Sequence, residues 1–305
     1  MLSAPHAFTL RQLQYVVAVA DELSFRRAAT RCHVSQPSLS GQLALVEDAL
    51  GVRMFERTRK RVIVTAVGRE LVERARHVLR GADELQQAAR RAGDPFSGTV
   101  RLGILPTISP YLLPSVTSPL RRAFAHLRVE WIEDRTEALA RGLEDGRLDG
   151  AIVALESDVS SFEQHALADD PFFLVTRREH PLATKTTPVT AAELRDQELL
   201  LLEDGHCFRD QTLEVCNRSR AAESEFRATS LLTLVQVVAG SGGATLLPAL
   251  ALDAEARRAR LSVRPLAVKG GHRTIGMIWR KGAAMERVLR KLEETIREAY
   301  PVRSR

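Results

Sequence analysis

Long apolar runs are missing from this chain of 305 residues. A membrane helix needs roughly 20 consecutive apolar residues, and no stretch approaches that length. The chain also lacks, at its start, the basic-plus-apolar segment that heads a secretory precursor, so a cytoplasmic protein is expected. Cysteine is scarce: Cys32, Cys207 and Cys216 are the only three. So few, and an odd number, exclude a disulfide scaffold. In a reducing compartment, paired cysteines are more often redox-active or metal-binding than structural. Zinc is disfavoured, because Cys207 and Cys216 stand nine positions apart with no second close ligand pair. No metal or other cofactor is expected.

Net charge is also missing from most of the chain. Residues 1–92 hold 15 Lys+Arg against 9 Asp+Glu, a net of +6, and the remainder holds 29 of each. A basic head on a neutral body suggests nucleic-acid binding, against the plainer reading of a solvated basic face. The length favours two or three domains over one core.

The head reads as helices. Leu13, Val16, Val17 and Ala20 give a helical period over Leu10 to Asp21. Ser24 can cap a short helix from Phe25 to Arg31. Ser35 can cap a third, running to about Leu50, with Pro37 in its first turn and Leu39, Leu43, Val46 and Leu50 as a buried stripe. Gly51 is a natural stop. Two short helices joined by a tight turn form a helix-turn-helix pattern. Its second helix would offer Ser35, Gln36, Pro37, Ser38 and Ser40 to double-stranded DNA. Arg53, Arg57, Arg59, Lys60 and Arg61 follow between strand-like flanks, a wing whose cations would hold phosphates. Cys32 reads as a small buried hydrophobe.

Thr65 to Ala92 is helical in pattern and free of proline. Leu71, Val78 and Leu85 recur every seven residues, with Ala75, Ala82 and Ala89 between them, an a/d seam suited to pairing with another chain. The plainer reading packs this helix on its own domain. Ala92-Gly-Asp-Pro-Phe-Ser-Gly ends it as a hinge.

From Val100 onward strands and helices alternate: strands at 100–105, 129–132 and 148–155, helices at 110–124 and 137–145, a parallel α/β sheet. Further strands are expected at 172–176, 199–202, 226–228, 244–247 and 274–279, with a final helix over 283–300. The last strand and helix should return to the first lobe. Open α/β sheets bind ligands at the carboxyl ends of their strands. Thr107, Thr136, the pair His206-Cys207, and Thr229 with Ser230 all follow expected strands and could converge, although a lone Thr there is more often a helix cap. Cys207 should stand at a helix N-terminus, where the dipole favours thiolate, with His206 and Arg209 adding donor character and Asp210 orienting one of them. Two cysteines in a helical segment are otherwise inert core residues. On one continuous helix, nine positions span about 13 Å, whereas a disulfide needs Cα atoms within about 7 Å. Closing the pair would therefore require the helix to give way.

The head carries Phe25-Arg-Arg-Ala-Ala, Val34-Ser-Gln-Pro-Ser-Leu-Ser, Leu45-Val-Glu-Asp-Ala-Leu-Gly and Phe55-Glu-Arg-Thr, which resemble the winged helix-turn-helix of LysR-type transcriptional regulators. Leu105-Pro-Thr-Ile-Ser-Pro-Tyr-Leu-Leu-Pro resembles the peroxide-sensing members of that family. So do Leu202-Glu-Asp-Gly-His-Cys-Phe-Arg-Asp-Gln, Cys216, Phe226-Arg-Ala-Thr-Ser and Gly240-Ser-Gly-Gly-Ala-Thr-Leu-Leu-Pro-Ala-Leu. The resemblance implies a winged helix-turn-helix over 1–65, a dimerisation helix over 66–92 and a hinge over 93–98. A two-lobed, periplasmic-binding-protein-like α/β domain would fill 99–305, with lobe I about 99–168 and 274–305 and lobe II about 169–273. It implies Cys207 as peroxidatic thiol, Cys216 as resolving thiol, and Thr107, Thr136, His206, Arg209 and Asp210 as a hydrogen peroxide pocket. It further implies a homo-oligomer built as a dimer of dimers, promoter DNA and RNA polymerase as partners, a cellular thiol as reductant, and control of peroxide-defence genes rather than enzymatic turnover. The rival readings are a regulator answering to an organic effector, or a thiol peroxidase. Phe208 stands where leucine is expected, and the segment after Cys216 is one residue shorter than in those members.

Overall fold

A computed structural model describes residues 6–57, 62–91, 94–195 and 197–301. Arg59, Lys60 and Arg61 lie outside the described residues, as do the side chains of Arg57 and Ala89. The chain divides into two compact units, Met1–Ala92 and Gly93–Arg305. No described helix is long and apolar enough to cross a membrane.

The first unit contains α1 (Leu10–Glu22), α2 (Phe25–Arg31), α3 (Gln36–Leu50), β1 (Phe55–Arg57), β2 (Val62–Val64) and α4 (Ala66–Arg91). Each early helix starts on a hydroxyl that satisfies a free first-turn N–H: Thr9 for α1, Ser24 for α2 and Ser35 for α3. Thr9 and Gln12 complete a reciprocal capping box. Gly51 ends α3 in the left-handed region, at φ 69°. Leu13, Val16, Val19, Phe25, Ala28, Leu39, Leu43 and Val46 form the core, but Leu50 is exposed at the end of α3, where the chain turns off the core at Gly51. The buried carboxylate of Glu47 fixes the wing. It accepts from Met54 N at 2.7 Å and Phe55 N at 3.1 Å, just before β1 pairs antiparallel with β2.

The linker helix departs from the expected seam. Val72 and Ala75 are buried in the head core, Leu71 and Leu79 pack against it, and Ala82 is half-buried. Ala75 and Ala82 therefore face this chain's own head, because α1 packs along the first half of α4. Val67, Val78 and Leu85 remain on the outside, the last two 48% and 72% exposed.

The second unit begins with β3 (Gly98–Ile104), α5 (Ser109–Ala123), β4 (Leu127–Glu133), α6 (Thr136–Glu144), β5 (Gly150–Ala154) and β6 (Glu163–Thr176). It continues with β7 (Val189–Thr190), α7 (Ala191–Leu194), β8 (Glu198–Leu202), α8 (Cys207–Ser219), β9 (Ala222–Ala228), α9 (Leu231–Ser241) and β10 (Ala244–Pro248). It ends with β11 (Ser262–Ala267), β12 (His272–Trp279) and α10 (Glu286–Glu298). In the first lobe, β4, β3 and β5 are parallel, and β12 returns antiparallel against β5. The helix α10 returns with it onto α5, closing a core of Leu102, Ile104, Ile152, Met277, Trp279 and Leu289. In the second lobe, β10, β8 and β9 are parallel around Leu199, Leu201, Val215, Val235 and Leu246.

One strand serves both lobes. Glu163–Pro171 of β6 pairs with β12, and Phe172–Thr176 pairs with β10 and β11. Only the second half was expected as strand, since the first half is largely polar and half-exposed. The loops after β3, β4 and β8 carry the candidate site residues.

Candidate functional site

The loop after β8 turns at Gly205, with φ +89°, a left-handed conformation that glycine takes without steric cost. His206 follows as the N-cap residue and Cys207 as the first residue of α8. Leu105, Pro106 and Thr107 after β3, and Arg135 and Thr136 at the start of α6, meet Gly205, His206 and Cys207 around one cavity. Its volume is about 10 Å³, room for roughly one water molecule. Cys207 is half-buried and packs against the core of the first lobe, although α8 belongs to the second. His206 is buried. Burial lowers its pKa first and the nearby Arg135 guanidinium lowers it further, against an opposing pull from Glu203, so the imidazole is held neutral at physiological pH. Thr136 Oγ1 is buried and has no hydrogen-bond partner among the described residues, which leaves it free to bond a molecule in the cavity.

Thr107 is held from behind. Arg273 of β12 donates to Thr107 Oγ1 at 2.9 Å and to Thr107 O at 3.1 Å, and its Nε pairs with Asp170 at 2.9 Å. Arg273 and Asp170 are cross-strand neighbours on β12 and β6, and both are buried. The same guanidinium lies 5.3 Å from the centre of the Phe208 ring, which meets Phe172 edge-on at 5.1 Å. A single buried cation thus touches the cavity wall and the residue next to Cys207. Taking away either charge of such a pair leaves the other buried and unpaired.

Two expected pocket residues stand elsewhere. Arg209 does not line the cavity. Its side chain is 5% exposed and turns beneath the loop to pair with Asp204 at 2.9 Å and Glu223 at 2.7 Å, and it donates to Leu202 O at 3.0 Å. It braces the turn that presents Cys207. Asp210 is exposed and holds neither Arg209 nor His206; it borders a neighbouring groove of about 520 Å³ together with Cys207 and Gln211. Ser230 caps α9 by accepting from Thr233 N, and neither it nor Thr229 reaches the cavity. Convergence is therefore confined to the ends of β3, β4 and β8. No described cluster of His, Cys, Asp and Glu could hold a metal ion.

Cys216 lies in a different environment. It is buried in the core of the second lobe, and burial pushes its thiol up to about 11. All three cysteines are free thiols, and α8 runs unbroken from Cys207 to Ser219. The Cα atoms of Cys207 and Cys216 are consequently about 13 Å apart along the axis. Cys32, the C-cap residue of α2, is half-buried against the head core.

In the head, Ser35, Gln36, Pro37 and Ser38 are exposed on the first turn of α3, and Ser40 is half-buried. The Ser35 hydroxyl accepts from Ser38 N at 3.3 Å, so it serves first as a cap. Arg53 is exposed and leans on Glu47 at 3.1 Å. Residues 10–69 match the bacterial regulatory helix-turn-helix of the lysR family, and residues 93–301 match the LysR substrate binding domain.

The chain belongs to the LysR family. This LysR-family chain is 42% identical over 290 residues to the hydrogen peroxide-inducible genes activator of Pectobacterium carotovorum subsp. carotovorum, covering 95% of this chain and 96% of that protein. It is 42% identical over 289 residues to the DNA-binding transcriptional dual regulator OxyR of Escherichia coli K12, covering 94% of each. Among solved structures, a cysteine-to-aspartate variant of full-length OxyR from Pseudomonas aeruginosa superposes with a TM-score of 0.75 at 35% identity, covering 96% of this chain and 98% of that one.

The sequence reading missed Arg273, Asp170, Arg135 and Glu203. The signal for the first pair was a charge set within each of two apolar strands, Arg273 before Thr-Ile-Gly-Met-Ile-Trp and Asp170 before Pro-Phe-Phe-Leu-Val. The second pair leaves no such mark, because both residues lie in polar loops.

Proposed function

We propose that this LysR-family regulator senses hydrogen peroxide in the cytoplasm through Cys207 and Cys216, and controls peroxide-defence genes by changing how its oligomer meets promoter DNA. The names of its relatives support the stimulus. The observation that carries the reading is the shared cavity: Cys207 at the positive end of α8, facing the hydroxyls of Thr107 and Thr136 and the neutral ring of His206.

In this reading the Cys207 thiolate attacks one peroxide oxygen. The O–O bond breaks, Cys207 becomes a sulfenic acid, and the other oxygen leaves as hydroxide that takes up a proton. Thr107 and Thr136 hold the two oxygens in line, with Thr107 Oγ1 already oriented by Arg273. The Cys216 thiol then displaces hydroxide from the sulfenic sulfur, giving a disulfide and water. That second step requires α8 to unwind, since its two ends hold the sulfurs too far apart. The rearrangement is the signal passed to the head. The working unit comprises a winged head (1–65), the linker helix (66–92), a hinge (93–98) and the sensing domain (99–305), assembled as a dimer of dimers and acting with RNA polymerase. A cellular thiol resets it. Arg209 acts here through the loop rather than on peroxide, and Asp210 borders the neighbouring groove.

The test is thiol counting by mass spectrometry after one equivalent of hydrogen peroxide. Cys207 is lost first, a Cys207–Cys216 disulfide follows, and Cys32 stays free. Cys207→Ser retains promoter binding and loses the response. Uniform oxidation of all three thiols, or a response surviving in Cys207→Ser, would leave the regulator to an organic effector bound elsewhere in the sensing domain.

A further inference from the structure

Among the side chains that line the cavity, one is exposed. Of its lining side chains, those of Leu105, Thr107 and His206 are buried, and those of Pro106, Thr136 and Cys207 are half-buried in regular elements or tight loops. Arg135 differs. It is 46% exposed, and its Nη2 donates to Glu203 Oε1 at 2.5 Å. Arg135 precedes α6 in the first lobe, and Glu203 follows β8 in the second, so the bridge spans the lips of the two lobes. The guanidinium also rests on the bare backbone of Gly205: a Cβ there would stand 2.5 Å from Nη1 and 3.2 Å from Cζ. It therefore lies across the turn that presents His206 and Cys207.

A cavity of about 10 Å³ holds one water oxygen, whereas a hydroperoxide brings two oxygens and, in organic members, a carbon group. Something must yield on entry. The buried walls belong to β3, α6 and α8, and the exposed arginine is the part that yields at least cost.

We propose that the Arg135–Glu203 bridge is a strap over the pocket and a specificity-determining pair, passing hydrogen peroxide and holding back bulky organic hydroperoxides. The inference rests on the peroxide-sensing reading of Cys207. An exposed ion pair biases a closed state by no more than about fivefold. The strap therefore sets a preference between oxidants rather than an absolute barrier. Arg135 acts on entry and is not a catalytic residue.

The experiment uses the full-length chain and two variants, Arg135→Ala and Glu203→Gln. The rate of Cys207 thiol loss is measured by stopped flow with hydrogen peroxide and with tert-butyl hydroperoxide. The readout is the ratio of the two rate constants. Both oxidants meet the same thiolate, so any change in its population cancels. Arg135→Ala removes the strap, and Glu203→Gln keeps the cation but releases it. The ratio of organic to inorganic rate is expected to rise about fivefold in both. A rise beyond about twofold in both variants supports the strap, and a smaller rise in either overturns it. A wild-type chain that does not lose Cys207 to hydrogen peroxide overturns the function instead. A chain that reacts, with a ratio that does not move, overturns only the strap.

Discussion

Replacing Phe208 with alanine should make the Cys207–Cys216 disulfide harder to reduce. Phe208 is the second residue of α8 and is buried between the Phe172 ring and the Arg273 guanidinium. Removing a buried phenylalanine ring costs about 3–5 kcal/mol. Drawing Cys207 toward Cys216 unwinds the first turns of α8 and pulls Phe208 out of its slot, so only the dithiol form bears that cost. For a two-electron couple, 1.4 kcal/mol corresponds to about 30 mV, so the potential should fall by about 60–110 mV in Phe208→Ala. Phe208→Leu keeps most of the apolar volume and should shift it by about a third as much. The assay equilibrates each protein in a series of dithiothreitol buffers and reads the disulfide fraction by thiol trapping. An unchanged potential, with both redox forms losing thermal stability alike, would mean that Phe208 stays packed in the disulfide form. The unwinding argument would then be wrong.

Three further outcomes follow from the same geometry. Cys216 is buried with its thiol pushed up to about 11, so its contribution to stability is complete below pH 9 and is lost as pH rises through 11. In Cys207→Ser, where no disulfide can form, the melting temperature should drop across that window by the equivalent of about 3 kcal/mol. The drop should vanish when Cys216→Ala is added, and a drop that persists there refutes the assignment. On the linker helix, Leu85→Asp and Val78→Asp place charge on an exposed stripe and should lower the mass measured by light scattering without lowering head stability. Ala75→Asp, inside the head core, should instead unfold the head by burying an unpaired charge. Asp170→Asn leaves Arg273 buried without its counter-charge and should destabilise the sensing domain by about 3–5 kcal/mol by denaturant titration. A loss under about 1 kcal/mol would show that solvent reaches the pair.

Local chemistry made the head legible. The bounds of α2, the caps at Ser24 and Ser35 and the stop at Gly51 are each written in a few adjacent residues. The linker helix was legible as a helix but not as a face. The heptad fits both rows of its apolar residues, and only the packing of α1 shows that Ala75 and Ala82 are turned toward this chain's own head. In the sensing domain, alternation marked the buried strands but not the first half of β6, whose pairing with β12 depends on residues about a hundred positions away. The same distance hides the support of the site. Arg273 meets Asp170 across 103 positions and Thr107 across 166, and Arg135 meets Glu203 across 68. That Cys207, His206, Thr107 and Thr136 meet around one cavity was legible because they follow neighbouring strand ends of an α/β fold. Arg209 was misplaced because a cation beside a cysteine reads as its partner, whereas Asp204 and Glu223 offer it two carboxylates under the loop.

The two thiols of α8 belong to two different hydrophobic cores. Cys207 packs against the first lobe and Cys216 is buried in the second, so one helix is anchored at both ends by the groups that must meet. Each anchor opposes the disulfide. Phe208 would leave its slot at a cost of about 3–5 kcal/mol, and Val215, if drawn from its apolar surroundings, would give up about 1.5–3 kcal/mol. A disulfide formed against such a load is easily reduced, because reduction lets the helix and its contacts reform. Reactivity and reset thus come from the same segment. In the proposed mechanism the small cavity and the helix N-terminus direct oxidation to Cys207, and the packing of the helix behind it returns the chain to the dithiol when the oxidant is gone. A chain with Cys216 already beside Cys207 would oxidise with little movement and have no change of shape to transmit to the head.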